Sequence, residues 1–356
     1  MRRLILAGAG HGHIQILAKL QKMDLDDLKV IVITNFDRQF YSGMLPGYIN
    51  GSYSLEQVSF KVEDYCNNPN IDLVYDEIIE INRDESLVRT KSGAYPFDYL
   101  SLNLGSKSIE VFGEERENLH YVKPIYEFKE LKDLGDGADR LLLVGGGAAG
   151  VELALAYAAK YPDLEIIIVD KNNEILLRFN KRTRKLAKNI LADRNIKVMH
   201  KIAIEKIDGR TAYYQGGKID FDQALISTGI TGVDVNYTGL EVDENNFLKV
   251  DSKLFAYENI LSLGDMVYLK DFPHTPKAGV FAIRMTPILV NNLFHLVFGI
   301  GNLKSYVPQA KYLQIINTSD EKAILSWGRL AMHNKLALKI KNKIDTDYMS
   351  GNLLKL

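Results

Sequence analysis

The run Leu141-Leu142-Leu143-Val144-Gly145-Gly146-Gly147-Ala148-Ala149-Gly150-Val151-Glu152 decides how this chain folds. Four apolar residues make a short strand and the glycines stop it. Val151 to Lys160 then resumes with a helical pattern, and Glu165 to Val169 is a second apolar, β-branched strand. Strand, glycine turn, helix and strand form one βαβ unit. Gly145, Gly147 and Gly150 fill all three positions of G-x-G-x-x-G. The first glycine permits a tight turn, the second lets the backbone approach a pyrophosphate, and the third lets helix and strand close on one another. The helix N-terminus then faces the phosphates with free N–H groups and a partial positive charge. Asp170, at the end of the second strand, is placed to accept hydrogen bonds from a ribose diol.

The same order opens the chain. Leu4 to Ala7 is apolar, Gly8 to Gly12 is a glycine turn, His13 to Gln21 is helical in pattern, and Lys29 to Ile33 is a second strand. Gly8 and Gly145 stand 137 residues apart. This copy is less regular: Gly8 and Gly10 fit, His13 takes the place of the third glycine, and the second strand is read as ending in Asn35 rather than an acid. Each unit is followed by a β layer. The first spans Ile71 to Tyr99, with a turn at Lys91-Ser92-Gly93; the second spans Lys197 to Ile226, with turns at Asp208-Gly209 and Gly216-Gly217. Further on, Asn259 to Asp265 reads as a strand ending in Gly264-Asp265, an aspartate suited to a ribityl hydroxyl. Residues 300–356 form a tail with strands of its own and a lysine-rich helical end.

Composition sets the outer bounds. The 356 residues, 46% hydrophobic, suit two domains of ordinary size. Lys plus Arg (44) and Asp plus Glu (45) nearly cancel, so no global field attracts nucleic acid. The single cysteine, Cys66, excludes an internal disulfide and points to the cytoplasm by default. The apolar run at the N-terminus stops after four residues, unlike a signal peptide. The most apolar stretch, Pro287 to Leu303, is broken by Asn291, Asn292, His295 and Asn302, so no transmembrane helix is expected. The seven histidines show no metal-ligand spacing, and no metal site is expected.

With both glycine turns and Gly264-Asp265 in order, the chain resembles the pyridine-nucleotide-dependent flavoprotein reductases, in which an NAD domain is inserted into a split FAD domain. Leu104-Gly105-Ser106, Gly150-Val151-Glu152 and Ser227-Thr228-Gly229 are further markers. Within that superfamily it is similar to the type II NADH dehydrogenase-like branch, and most of all to flavoproteins found alone or fused ahead of selenide, water dikinase. Gly8-Ala9-Gly10-His11-Gly12-His13, Tyr41-Ser42-Gly43-Met44-Leu45-Pro46-Gly47 and Lys277 to Arg284 carry that likeness. The resemblance implies an α/β fold of two Rossmann-like domains. Residues 1–108 and 246–302 would bind FAD, 109–245 would bind NAD(P), and 303–356 would form a small C-terminal α+β cap.

Carried over by position, Gly8, Gly10 and Gly12 would line the FAD pyrophosphate with His13 beside them. Asn35 would meet the adenosine ribose, Ile78 the adenine and Asp265, after Gly264, the ribityl chain. Gly105 and Gly229 close the two domains. Met44, Leu45 and Pro46, with Ala278, Gly279 and Val280, would flank the isoalloxazine. Gly145, Gly147 and Gly150 would take the NAD pyrophosphate, Asp170 its ribose in NADH rather than NADPH, with Lys171 softening that preference, and Glu152 would approach the nicotinamide as the catalytic side chain.

The cofactors carry the hydride chemistry while the protein aligns and protects them. Related reductases that use one active-site cysteine carry it where this chain has Gly43, and a thiolate is required for disulfide or peroxide chemistry. That branch is excluded, and Cys66 reads as an incidental thiol. The leading expectation is hydride from NADH to FAD and on to a quinone or quinone-like acceptor. The alternatives are a selenium or sulfur compound, a protein partner, or a non-enzymatic flavin redox sensor. Type II NADH dehydrogenases carry a glutamine-glycine pair near the quinone where this chain has Met285-Thr286. In the tail, Leu336, Ile340 and Ile344 recur every four residues beside Lys335, Lys339 and Lys343. That pattern suits either an anionic bilayer at the inner face of the cell membrane or, more ordinarily, an apolar stripe packed back onto the FAD domain with lysines facing water. A homo-oligomer is allowed.

Overall fold

The computed structural model describes residues 1–113 and 117–350. In chain order the elements that position the sites are β1 (Arg2–Ala7), α1 (His11–Leu20), β2 (Leu28–Thr34), β3 (Ile71–Tyr75), β4 (Tyr99–Leu102), β5 (Leu119–Tyr121), β6 (Arg140–Val144), α2 (Ala148–Lys160), β7 (Glu165–Asp170), α3 (Lys181–Asp193), β8 (Lys197–His200), β9 (Gln223–Ile226), β10 (Phe255–Tyr257), β11 (Ile260–Ser262) and α4 (Gly279–Phe298). The tail adds β12 (Gln314–Asn317), β13 (Ala323–Trp327), β14 (Leu330–Asn334) and α5 (Lys335–Met349).

The chain divides into two compact units. The first comprises residues 1–40, 59–107 and 231–309. Its sheet runs β10-β11-β4-β1-β2-β3, parallel except for the β10/β11 edge pair. Leu4 to Ala7 are fully buried, as expected of a parallel strand covered on both faces. α4 packs against α1.

The second unit comprises the described residues of 41–58, 108–230 and 310–350, and its sheet runs β5-β9-β6-β7-β8, all parallel. α2 is buried along Val151, Leu153, Ala154, Leu155, Ala156 and Tyr157. The tail sheet β12-β13-β14 is antiparallel and packs against α2, α3 and α5.

The units differ from the expected boundaries in four places, the first being residues 41–58, which join the second unit, where Tyr41 O–H donates to Asp345 Oδ1 (3.1 Å). The second seam falls at 230/231 rather than 245/246 because Asn236–Thr238 pairs in parallel with Ile78–Asn82. Residues 303–309 stay with the first unit, where Asn292 Nδ2 donates to Lys304 O (2.8 Å) and Tyr306 N to Ser252 O (2.7 Å). Residues 310–350 are no separate cap: they belong to the second unit, while residues 351–356 of the expected tail lie outside the described residues.

α4 also corrects the reading of the apolar stretch. The helix starts at Gly279, ahead of that stretch, and carries Pro287 in its interior. At 20 residues it is long and apolar enough to cross a membrane by length and composition. Its buried positions, among them Phe281, Met285, Leu289, Leu293 and Val297, recur at helical spacing and form one core-facing side.

Candidate nucleotide sites and the Glu152 cluster

In the first unit, Gly8 has φ +82°, and a Cβ there would lie 2.6 Å from Asn103 O. Only glycine fits that conformation and approach without strain. Gly10 N-caps α1 with no side-chain cap of its own, and Asn103 Oδ1 accepts from Gly12 N at 3.0 Å. The imidazole of His13 is fully buried and bridges the turn: Nδ1 lies 2.5 Å from Gly8 O and Nε2 2.8 Å from Ser101 Oγ on β4. Gly8 O can only accept, so Nδ1 donates and Nε2 accepts from the serine. Burial pushes the ring down to about 4, so it is neutral at physiological pH. His11 points elsewhere, Nε2 lying 3.0 Å from Phe40 O, and is likewise lowered to about 4 by burial.

The strand register moves one expected contact. Gly8 N donates to Ile33 O as Gly145 N donates to Val169 O. The residue of β2 that corresponds to Asp170 is therefore Thr34, buried at the strand end, and Asn35 is exposed one residue beyond. Ile78 is buried at the start of its strand. Gly105 has φ +78° and open space around it. Gly264 (φ +85°) and Asp265 follow β11 and line a cleft with Tyr268, Lys277, Phe281 and Met285. Ala278 caps α4 without a side-chain hydrogen bond, leaving Gly279 exposed and Val280 half-buried. Met285 and Thr286 are buried, and Thr286 Oγ1 donates back to Ala282 O (3.0 Å).

The second unit holds the other turn. Gly145 has φ +118°, and a Cβ on Gly150 would sit 2.0 Å from Gly145 O, so helix and strand meet as the pattern requires. Ser227 Oγ donates to Gly145 O at 3.1 Å. Gly147, Ala148 and Ala149 are exposed, nothing lies near a Cβ on Gly147, and no side chain caps α2. That cradle fits a pyrophosphate. Asp170 is nearly buried, with Oδ2 accepting from Gly146 N (2.6 Å) and Oδ1 from Asn172 N and Nδ2 (2.8 Å each). It therefore shapes the turn besides facing it. Gly229 has φ +54° beside Ile109.

Glu152, on the second turn of α2, has Oε1 accepting from Asn317 N on β12 at 2.7 Å. Burial pushes its carboxyl up to about 7, opposed by Lys341 and reinforced by Asp345. Both of those lie on α5. Lys341 Nζ donates to Asp345 Oδ2 (2.7 Å) and to Gly43 O (2.5 Å), and Tyr41 O–H donates to Asp345 Oδ1 (3.1 Å). Tyr41 stacks on Tyr348, centroids 4.6 Å apart. A Cβ on Gly43 would lie 2.9 Å from Tyr41 Cζ, so the phenol fills the space a side chain there would need. Met44, Leu45 and Pro46 are buried beside this group in the second unit, whereas Ala278 to Val280 belong to the first.

The sequence reading missed Ser101, Asn103, Tyr41, Lys341, Asp345 and the backbone of Asn317. Only Tyr41 stood inside a quoted motif. Cys66 is half-buried, its thiol pushed up to about 11 by burial, which suits an unreactive thiol. Among the described residues no group of acidic, histidine or cysteine side chains could hold a metal.

Two parallel-sheet units, each with a glycine turn opening onto a helix N-terminus, define a two-dinucleotide oxidoreductase fold. The chain belongs to the pyridine nucleotide-disulphide oxidoreductase family, whose profile matches residues 2–285. It is 25% identical over 351 residues to an NADH oxidase of Methanocaldococcus jannaschii, covering 90% of this chain and 73% of that protein. Against the type II NADH:quinone oxidoreductase of Staphylococcus aureus it is 22% identical over 301 residues, covering 74% of each. The sulfide:quinone oxidoreductase of Aquifex aeolicus shares the fold with a TM-score of 0.76 at 18% identity, covering 99% of this chain and 92% of that one. The chain is an oxidoreductase that works with FAD and NADH.

Proposed function

We propose that this enzyme oxidises NADH and delivers the electrons to a quinone or quinone-like acceptor. The observation that carries the reading is the Glu152 carboxyl, bonded to Asn317 N and pushed up to about 7 by burial, in a cluster where no thiol is available: the phenol of Tyr41 fills the space beside Gly43, and Cys66 is raised to about 11. Reducing a quinone consumes one proton beyond the hydride, NADH + H⁺ + Q giving NAD⁺ + QH₂. Bound FAD and NADH supply the hydride chemistry. Gly8, Gly10, Gly12 and His13 hold the FAD pyrophosphate, Thr34 and Asn35 the ribose edge, Ile78 the adenine side and Asp265 the ribityl chain. Gly145, Gly147 and Gly150 orient the nicotinamide nucleotide, and Asp170 favours the unphosphorylated ribose. Glu152 keeps a proton near the nicotinamide end. The names of the two quinone-linked relatives support the acceptor class.

The test is an acceptor screen on the FAD-loaded protein under NADH turnover, with quinones, oxygen, polysulfide and selenium compounds compared by specificity constant. Quinones should rank first, and Cys66→Ser should change their rate by less than about twofold, far below the ~1.4 kcal/mol that marks a tenfold barrier change. If no quinone is reduced, the sulfur, selenium or protein-acceptor reading takes its place.

Peripheral contact with an anionic bilayer through α5 is part of the same proposal. Two of the three residues of its apolar stripe face outward: Leu336 is 59% and Ile344 40% exposed with Ile340 half-buried between them, Lys339 and Lys343 are exposed alongside, and Trp327, Leu330 and Met332 are exposed on the adjoining β13–β14 hairpin. An outward apolar face flanked by lysines suits the headgroup region of anionic lipid. Leu336→Glu with Ile344→Glu should abolish sedimentation with phosphatidylglycerol vesicles while sparing NADH reduction of a soluble dye. Equal binding by the variant would remove α5 as the contact.

A further inference from the structure

We infer that the inward face of α5 is a positioning element for proton supply, in which Lys341 and Asp345, steadied by Tyr41, set how tightly Glu152 holds its proton. The inference rests on the role proposed above for Glu152.

α5 buries the wrong kind of side chain for an ordinary amphipathic helix. Ala337, Lys341, Asp345 and Tyr348, at helical spacing, are its buried residues, while Leu336 and Ile344 face out. The Lys341 and Asp345 side chains are only 9% and 5% exposed. A buried ion pair gives little net stability relative to apolar residues of the same size, so packing does not require it.

Charge counting shows what the pair does. Lys341 and Asp345 are buried and Glu152 is half-buried, so with all three ionised one negative charge is left uncompensated in partly desolvated surroundings, which disfavours it. One added proton makes the cluster neutral. Burial raises the Asp345 carboxyl, but it accepts on both oxygens, from Lys341 Nζ and from the Tyr41 hydroxyl, and these bonds oppose that rise by favouring its ionised form. Glu152 accepts a backbone hydrogen bond on Oε1 only, so it is the site that takes the proton. Lys341 is itself fixed by Gly43 O. From β12, Glu152 receives the Asn317 N–H, and the charged side chains acting on it are Lys341 and Asp345, both on α5. The cluster thus stores one proton, and α5 sets its affinity.

The signs are opposite for the two α5 residues. Asp345→Asn removes a negative neighbour, so Glu152 releases its proton at lower pH. Lys341→Met removes a positive neighbour, so Glu152 releases it at higher pH. In the full-length, FAD-loaded enzyme the alkaline limb of the NADH:quinone rate should move down by about half a pH unit or more in the first and up by a similar amount in the second, with NADH reduction of the flavin at pH 6 nearly unchanged. Infrared titration of the protonated carboxyl band, assigned by its loss in Glu152→Gln, reads the same shifts without turnover. The double variant Lys341→Met, Asp345→Asn leaves no unpaired charge on α5 and should return close to the parent titration, which keeps the test usable if a single variant does not fold.

Shifts in one common direction, or a carboxyl band that titrates identically in all the variants, overturn the inference. A carboxyl that shifts as expected in an enzyme that reduces no quinone upholds the cluster and removes the acceptor.

Discussion

The two glycine turns solve one problem in two ways. In the second, the third glycine brings α2 against Gly145 O, leaving no room for a Cβ. In the first, a full imidazole occupies the corresponding position and hydrogen-bonds the corresponding carbonyl, Gly8 O. Each turn also takes a serine from the neighbouring strand segment, Ser227 onto Gly145 O and Ser101 onto His13 Nε2. What the fold demands is therefore a satisfied carbonyl behind the helix start, and a close backbone approach is only one way to meet it. The ring makes the first turn a hydrogen-bonded lock, with Asn103 Oδ1 on the Gly12 amide. The second turn stays open, its leading amides exposed to an incoming anion.

The largest way to break this contrast is Gly150→Ala. The Cβ would lie 2.0 Å from Gly145 O, so the turn must open. NADH reduction of the flavin should fall by about 100-fold or more, close to 3 kcal/mol in the barrier, while dithionite still bleaches the bound FAD. His13→Gly, which restores the regular motif to the first turn, should weaken rather than improve it. It strips the partner from buried Gly8 O and Ser101, costing ~1–3 kcal/mol and weakening FAD retention correspondingly, as read by flavin release in urea. If that variant binds FAD as tightly as the parent, the lock is ornamental.

Asp170→Ser should act in both capacities at once. It removes the ribose acceptor and the anchor of Gly146 N, lowering the NADH specificity constant about tenfold and narrowing the preference over NADPH. The smallest effect separates the turns by pH. His13 and His11 stay neutral to about 4 in the folded protein, whereas the unfolded chain protonates near 6.5. The unfolded state then binds more protons, so stability is full above about 6.5 and declines as pH falls toward about 4. The melting temperature of the flavin-bound protein should track that window, and His13→Gln should flatten the slope. No histidine bridges the second turn, so its nucleotide affinity should show no such dependence.

The legible parts of this fold were those written in local pattern. Gly145 to Gly150 shows its purpose because glycine is needed where a side chain must be absent, and the strand–turn–helix order fixes where that happens. His13 was legible only as an exception, since its partner Ser101 lies 88 residues away. Thr34 was missed by one residue because a strand end depends on the ladder, not on composition: Gly8 N selects Ile33 O. For Glu152 the position was visible and the neighbours were not. Asn317, Lys341 and Asp345 come from a tail whose strands carry no motif. The period of α5 was plain as well, but hydropathy places lysine outside and leucine inside, and here packing buries Lys341 and turns Leu336 and Ile344 outward, while Lys335, Lys339 and Lys343 stay exposed.

Tyr41 makes two positions interdependent. A cysteine placed at Gly43 would collide with the tyrosine ring itself, not merely with its hydroxyl, the nearest atom being Cζ at 2.9 Å. Placing a thiol there therefore takes a change at Tyr41 as well. That change strips Asp345 of its phenol partner and Tyr348 of its stacked ring. One aromatic side chain thus ties the absence of a nucleophile at residue 43 to the integrity of α5, so neither can be altered without the other.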